Sequence, residues 1–127
     1  MSERSSTEGG GPRAVVEAYW RDECLRDLPR IMGHYHPDAE FQGPNGPALV
    51  GHDQIRGFYE ASIAAYPGLR VEIVSEVVDG DRGAFEFVAE LTDHEGRSYP
   101  ARGTNVVTVR DGRFVSNHSS FDTRDIP

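Results

Sequence analysis

The sequence has no lysine, a single cysteine and no long apolar run, and the last two features each exclude a class of protein. One cysteine cannot form an intrachain disulfide, so the fold does not depend on covalent cross-links. No N-terminal segment has the apolar length of a signal peptide or of a membrane-spanning helix. We therefore expect a cytoplasmic protein that has no membrane partner, and no cofactor is expected either.

The charge balance argues against nucleic acid as a partner. The 127 residues include 21 acidic and 13 basic side chains, which gives a formal net charge of −8. The acidic residues are spread along the whole chain, whereas a nucleic-acid interface needs a clustered basic face. The length suits one domain that buries roughly two thirds of its unfolded surface. A small molecule or another protein is the expected partner.

The first half of the chain has helical periodicity. Residues 1–12 are polar and rich in glycine and predict a flexible tail, which leaves 13–127 as a single domain. Beyond this tail, apolar residues recur every three or four positions, and Asp27 is a suitable helix cap. The predicted elements are a helix from Pro12, a short helix from Asp27 to about Tyr35, a strand over 39–43 and a helix over 52–66.

After residue 68 the apolar period changes from about 3.6 to 2, which predicts β-strands. Helices followed by a meander of strands are typical of an α+β fold. We therefore predict one curved antiparallel sheet, wrapped around about three N-terminal helices that cover its apolar face. The predicted long strands span 69–79, 83–92, 98–109 and 113–122.

The last hairpin places polar side chains where a buried sheet face would normally be apolar. A two-residue turn would put Asn105 on the same face as His118, whereas a three-residue turn over 110–112 would put it on the face of Asn117. The three-residue turn separates polar from apolar residues better, so we predict it. It places Phe114 on the outer face of the sheet.

With this register, Asn105, Asn117 and Ser119 face the core. A buried amide without a partner costs about 1–3 kcal/mol, so these groups must satisfy one another or face a cavity. One interpretation is that the two asparagines pair across the strands and fix the register. The other is that they line a ligand cavity.

Six phrases of the sequence, in this order and spacing, resemble the NTF2-like superfamily over about residues 14–126. They are AVVEAY, AEFQGPNG, GHDQIRGFY, GAFEFVAEL, GRSYPARGTNVVTV and GRFVSNHSSF. That superfamily includes SnoaL-like polyketide cyclases, limonene epoxide hydrolases and, nearest to this sequence, ketosteroid isomerases. The resemblance implies a cone-shaped domain and a homodimer formed through the outer sheet face, here Arg102, Thr104, Val106, Phe114 and His118.

The resemblance to ketosteroid isomerases also implies catalytic roles. In those enzymes a tyrosine of the first helix and a strand aspartate form an oxyanion hole, and a carboxylate after the first strand moves the proton. Tyr19 falls on the tyrosine position and Asn105 on the aspartate, and an amide N–H can donate the same hydrogen bond. Tyr35 and Tyr59 fall where further tyrosines support the first. Gly43 occupies the position of the base, which is therefore missing.

These correspondences imply a ketosteroid isomerase-like or SnoaL-like enzyme that stabilises the enolate of a small hydrophobic carbonyl compound of steroid or polyketide type. Tyr19 and Asn105 are the catalytic residues, and no metal is expected. The alternative is a non-catalytic ligand-binding or dimeric scaffold module that has lost the base. We expect the ligand to contact Trp20, Tyr35, Phe41, Gly43, Phe58, Tyr59, Phe87, Ala89, Asn117, Ser119 and Phe121.

Overall fold

Three helices pack on one face of the sheet. The computed structural model describes residues 11–123 and 126, so the predicted tail over 1–12 lies outside the described residues except for its last two positions. Pro12 begins the first helix because its fixed φ suits that position and its missing N–H is not needed there. Asp27 caps the second helix by accepting a hydrogen bond from the Arg30 amide. The helices are α1 (Pro12–Cys24), α2 (Leu28–Gly33) and α3 (His52–Ala65).

Six strands form a single curved sheet, which confirms the predicted α+β fold. Their order across the sheet is β2-β1-β6-β5-β4-β3. The four long strands begin and end within one residue of the predicted positions because their alternation and turns are unambiguous. The strands are β1 (Tyr35–Gln42), β2 (Leu49–Val50), β3 (Gly68–Asp79), β4 (Arg82–Thr92), β5 (Ser98–Arg110) and β6 (Arg113–Phe121).

The first strand differs from the prediction in length and direction. Tyr35 was expected at the end of the second helix, but α2 ends at Gly33 and Tyr35 begins β1. Pro37 favours extended geometry at His36, and this residue lies within β1. The longer β1 lies parallel to β6, so the sheet is mixed and not wholly antiparallel. The two-residue β2, which pairs with β1, was not predicted because turn residues surround it.

The turn of the last hairpin was predicted wrongly, but the faces of its asparagines were predicted correctly. Asp111 and Gly112 both have positive φ, as in a two-residue type I′ turn. A β-bulge then inserts one extra residue into β6, because Val109 pairs with Phe114 while Thr108 pairs with Ser116. The extra residue of the bulge returns Asn105 and Asn117 to the same face of the sheet, which the two-residue turn alone would not do.

The same bulge corrects the position of Phe114. The two-residue turn places this ring opposite Val109 on the inner face, where it is fully buried. It therefore does not belong to the outer face to which the sequence assigned it. Asn105 now pairs with Ser119, and Val107 pairs with Asn117, so the polar residues share the inner face as expected.

The inner face of the sheet and the apolar faces of the helices form the core. Phe85 and Phe87 are buried on β4 as predicted, and the ring of Phe87 lies 5.2 Å from that of Trp20 on α1. Ile55 of α3 is also fully buried. None of the helices within the described residues is long and apolar enough to span a membrane.

Candidate functional site

A cavity of about 360 Å³ lies between the inner sheet face and helices α1 and α3. This volume is at the lower end of the range for small-molecule sites, about 300–1,000 Å³. Its wall is mainly apolar, with a few polar groups at one side. Nine of the residues singled out from the sequence line it: Tyr19, Trp20, Phe41, Phe58, Phe87, Ala89, Asn105, Ser119 and Phe121.

The other four residues of that set do not form the cavity wall. Tyr35, Tyr59 and Asn117 are fully buried behind it, where they contact residues of the wall. Gly43 lies near the wall, since a Cβ built on it would be 3.6 Å from each of two phenylalanine rings. Ligand contact through these four positions remains a prediction.

The polar residues of the sheet form a chain of hydrogen bonds. Ser119 Oγ donates to Asn105 Oδ1, Asn105 Nδ2 donates to Asn117 Oδ1, and both distances are 2.9 Å. Asn117 Nδ2 then donates to the Tyr35 hydroxyl, also at 2.9 Å. The two asparagines therefore pair across the strands, and Asn105 also lines the cavity whereas Asn117 does not. That this cavity binds a ligand remains a prediction.

The tyrosines continue this chain. The Tyr35 and Tyr59 hydroxyl oxygens are 2.7 Å apart, and those of Tyr59 and Tyr19 are 2.5 Å apart. Because Tyr35 accepts from Asn117, its single proton is available for Tyr59, and the proton of Tyr59 is then available for Tyr19. In each tyrosine pair either oxygen can be the donor, and when the protons follow this order the Tyr19 proton faces the cavity.

Glu23 and Arg26 complete the polar side of the cavity. Glu23 Oε2 lies 3.4 Å from the Tyr19 hydroxyl, which is long for an O–H···O bond. Arg26 Nη1 donates to Glu23 Oε1 at 2.7 Å. The same guanidinium donates to the Tyr66 carbonyl at the end of α3, at 3.0 Å from Nε and 2.6 Å from Nη2. Arg26 therefore joins the ends of two helices and fixes one oxygen of Glu23.

Burial controls the protonation of these groups. It raises the pKa values of Tyr19, Tyr35 and Tyr59 above the ordinary range, so all three stay protonated at neutral pH. Burial also raises the pKa of Glu23, against the attraction of Arg26, which lowers it. The cavity therefore holds neutral hydroxyl donors beside a carboxyl group that is a stronger base than an exposed one.

The sequence interpretation missed Glu23 and Arg26. The signal that could have revealed Glu23 is its spacing, since it follows Tyr19 by four residues and so shares the face of α1 that packs on the core. Arg26, three residues after Glu23, has a φ of 55°, the left-handed conformation common just after a helix end. Both residues lie far along the chain from Gly43, where the resemblance places the base.

Two histidines lie outside the cavity wall. His34 Nε2 is 2.8 Å from the buried Asp22 carboxylate, outside the cavity wall. His118 is half-exposed on the outer sheet face, 3.7 Å from Glu40. Within the described part of the chain, no group of three or more His, Cys, Asp or Glu side chains is arranged to hold a metal ion.

The sequence also matches a known family. The sequence model of the SnoaL-like domain matches residues 13–117. No curated protein matches the chain significantly. Among solved structures, an NTF2-like protein of unknown function from Burkholderia pseudomallei K96243 is 23% identical, with a TM-score of 0.77 over 87% of this chain and 90% of that one.

Two further structures have the same fold. A protein of ketosteroid isomerase-like fold from Catenulispora acidiphila, solved with trimethylamine, has a TM-score of 0.80 at 15% identity, over 91% of this chain and 90% of its own. A protein described as a SnoaL-like polyketide cyclase from Jannaschia sp. CCS1 has a TM-score of 0.76 at 15% identity, over 87% and 84% of the two chains. At these identities the similarity shows a shared NTF2-like fold.

Proposed function

Because this chain belongs to the SnoaL-like domain family, we propose that it is an enzyme that binds a small hydrophobic carbonyl compound and stabilises its enolate. Tyr19 donates the principal hydrogen bond to the carbonyl oxygen, and Asn105 assists. The mainly apolar wall fits a ligand of steroid or polyketide type. The description of the Jannaschia neighbour as a polyketide cyclase favours the second of these.

The observation that carries this proposal is the continuous hydrogen-bond chain that ends at the cavity wall. It runs from Ser119 through the two asparagines, Tyr35 and Tyr59 to the hydroxyl of Tyr19. When the protons of Tyr35 and Tyr59 are donated toward Tyr19, the Tyr19 proton has the Glu23 oxygen as its acceptor, at 3.4 Å. A ligand oxygen at about 2.7 Å would be a better acceptor. Successive donors also polarise one another, which strengthens the final bond.

Such a donor suits an enolate better than a ketone. Negative charge develops on the carbonyl oxygen as the enolate forms, and a fixed donor in an apolar cavity stabilises that charge more than it does the neutral carbonyl. One oxyanion donor contributes about 10²–10³-fold to a rate. Asn105 uses one N–H for Asn117, and its second N–H can serve the same oxygen.

A ligand-binding module is the second candidate, and Gly43 is the observation that favours it. The resemblance to ketosteroid isomerases places the proton-moving carboxylate at this position, which has no side chain. A protein that kept the donors and the cavity but moved no proton would bind carbonyl compounds without turnover.

We also propose that two copies associate through the outer face of the sheet. Without Phe114, that face still presents Val106, which is 38% exposed, beside the half-exposed His118. Val77 on β3 adds another exposed apolar side chain. A homodimer would cover these groups.

A titration with substituted phenols of graded acidity tests the oxyanion site. Phenolates resemble the enolate in charge and shape and need no base. The native protein should bind phenolate in preference to phenol, as read from the ultraviolet absorbance of the bound form. Tyr19→Phe should lose this preference, because it removes the last donor of the chain.

Tyr99→Phe is the matched control. Its hydroxyl donates to Asp93 outside the cavity, at 3.0 Å, so phenolate binding should be unchanged. If the native protein binds no phenolate, or if Tyr19→Phe binds it as well as the native protein does, the proposed function is wrong. Loss of turnover on Tyr19→Phe, once a substrate is known, would separate the enzyme from the binding module.

A further inference from the structure

The cavity contains a carboxylate that the comparison with ketosteroid isomerases does not predict. Of the residues that the structure describes, Glu23 is the single Asp or Glu in the cavity wall. Its side chain is only 13% exposed and comes from the last turn of α1. Glu40, near the expected base position, is about 43% exposed and faces His118 on the other side of the sheet.

We propose that Glu23 is the general base of this site and replaces, from helix α1, the carboxylate that is missing at Gly43. This inference rests on the proposed function. Glu23 Oε2 and the Tyr19 hydroxyl lie 3.4 Å apart and face the same cavity. A ketone oxygen that accepts a hydrogen bond from Tyr19 therefore brings its α-carbon, two bonds away, next to Glu23 Oε2.

The proton transfer balances without any further reactant. Glu23 Oε2 takes a proton from the α-carbon, the electrons of that C–H bond form the C=C bond, and the carbonyl π electrons move to the oxygen. Tyr19 stabilises the resulting enolate oxygen by its hydrogen bond. The protonated Glu23 then returns the proton to the same carbon, or to another carbon of the conjugated system, which gives exchange or isomerisation.

Arg26 is a positioning residue in this arrangement. It holds Oε1 of Glu23 at 2.7 Å and is itself fixed by the Tyr66 carbonyl, which leaves Oε2 directed toward Tyr19. The titratable groups that face the Glu23 carboxyl are thus the charged Arg26 on one side and the neutral tyrosine hydroxyls on the other. A carboxyl group whose pKa is raised by burial also returns its proton more effectively near neutral pH.

Hydrogen exchange into a simple ketone tests the role of Glu23. The probe is 2-tetralone in D₂O, and the readout is the loss of its α-proton signals by NMR. Glu23→Gln should slow the protein-catalysed exchange by about 10²–10⁴-fold. Glu17→Gln is the control, because Glu17 lies on the same helix, is about half-exposed and pairs with Arg13, and the exchange should be unchanged.

Two further measurements keep the test decisive if Glu23→Gln folds poorly with Arg26 left unpaired. Glu23→Asp keeps the charge but withdraws the oxygen by one methylene, so exchange should fall while folding is preserved. In Glu23→Ala, added formate should restore exchange in proportion to its concentration, which a purely structural role of Glu23 would not produce.

The failures of the two proposals can be told apart. If the native protein binds phenolates but Glu23→Gln exchanges tetralone as fast as the native protein, Glu23 is not the base and the oxyanion site stands. The same conclusion follows if phenolates bind and the native protein does not accelerate exchange at all. If no phenolate binds, the proposed function fails, and the assignment of Glu23 fails with it.

Discussion

Replacing Tyr59 with phenylalanine should destabilise the protein more than it weakens phenolate binding. Tyr59 is fully buried, lies outside the cavity wall, and its hydroxyl contacts those of Tyr35 and Tyr19. Tyr59→Phe keeps the ring and removes only this hydroxyl. The Tyr35 hydroxyl then loses its partner at 2.7 Å, while Tyr19 keeps its own proton for the ligand.

The two effects differ in size. A buried donor left without an acceptor costs about 1–3 kcal/mol of unfolding free energy. Tyr19 loses only the polarisation by its neighbour, about 10–30% of a charge-assisted bond of about 1.5–3 kcal/mol, which is about 0.2–0.9 kcal/mol or less than about fivefold in Kd. Tyr19→Phe removes the whole bond and should weaken binding by about 10- to 150-fold.

Urea unfolding and phenol titration of the native protein, Tyr59→Phe and Tyr19→Phe measure both quantities. The expected result is a clear loss of unfolding free energy in Tyr59→Phe with a small change in Kd. The reasoning is refuted if Tyr59→Phe weakens phenolate binding as strongly as Tyr19→Phe. It is also refuted if Tyr59→Phe is as stable as the native protein.

Substitutions at three other positions test other parts of the structure. Gly43→Asp should speed tetralone exchange by about tenfold or more, because a Cβ fits there and the carboxylate adds a base; an unchanged rate in a folded variant would contradict this. Burial of Asp22 opposes ionisation, but its bond to His34 keeps the pKa of Asp22 below the ordinary value. The free energy of unfolding of the native protein should therefore fall as pH drops below about 4. In thermal melts, Asp22→Asn should lose less stability over this pH range than the native protein does. An equal loss in both proteins would exclude Asp22 as the source of the acid dependence. Val106→Glu should turn a native dimer into a monomer in light scattering at micromolar concentration, and a monomeric native protein would remove the outer-face interface.

The long strands could be predicted from the sequence because several signals agree there. In β4, Phe85 and Phe87 alternate with Glu86, and turns bound the strand at both ends, so its limits and its buried face are both determined. The direction of β1 could not be predicted, because a strand next to a helix can pair on either edge and in either direction. Only tertiary contacts decide that β1 lies parallel to β6.

In the last hairpin the predicted turn length was wrong, but Asn105 and Asn117 were assigned to the correct sheet face. The sequence fits both a two-residue and a three-residue turn at Gly112, and the extra residue appears instead as a bulge within β6. Either arrangement places Asn105 and Asn117 together. They differ at Phe114, which the three-residue turn places on the outer face and the structure buries on the inner face.

Part of the candidate site could be predicted from the pattern of polar and apolar residues on the strands. Polar groups on an apolar face are conspicuous, and this pointed to Asn105 and Asn117, while the resemblance pointed to Tyr19. Glu23 was missed because an acidic residue on a helix is usually solvated, and nothing local shows that α3 and Arg26 cover it. Only the packing of two helices distinguishes it from the exposed Glu17.

A crystal structure of the protein with a bound phenolate tests the central claim most directly. The account predicts that the phenolate oxygen lies about 2.5–2.7 Å from the Tyr19 hydroxyl oxygen, the length of a charge-assisted O–H···O bond. The ring should then lie among the apolar residues of the cavity wall. A phenolate bound with its oxygen directed to the cavity entrance, out of reach of Tyr19 and Asn105, would contradict it.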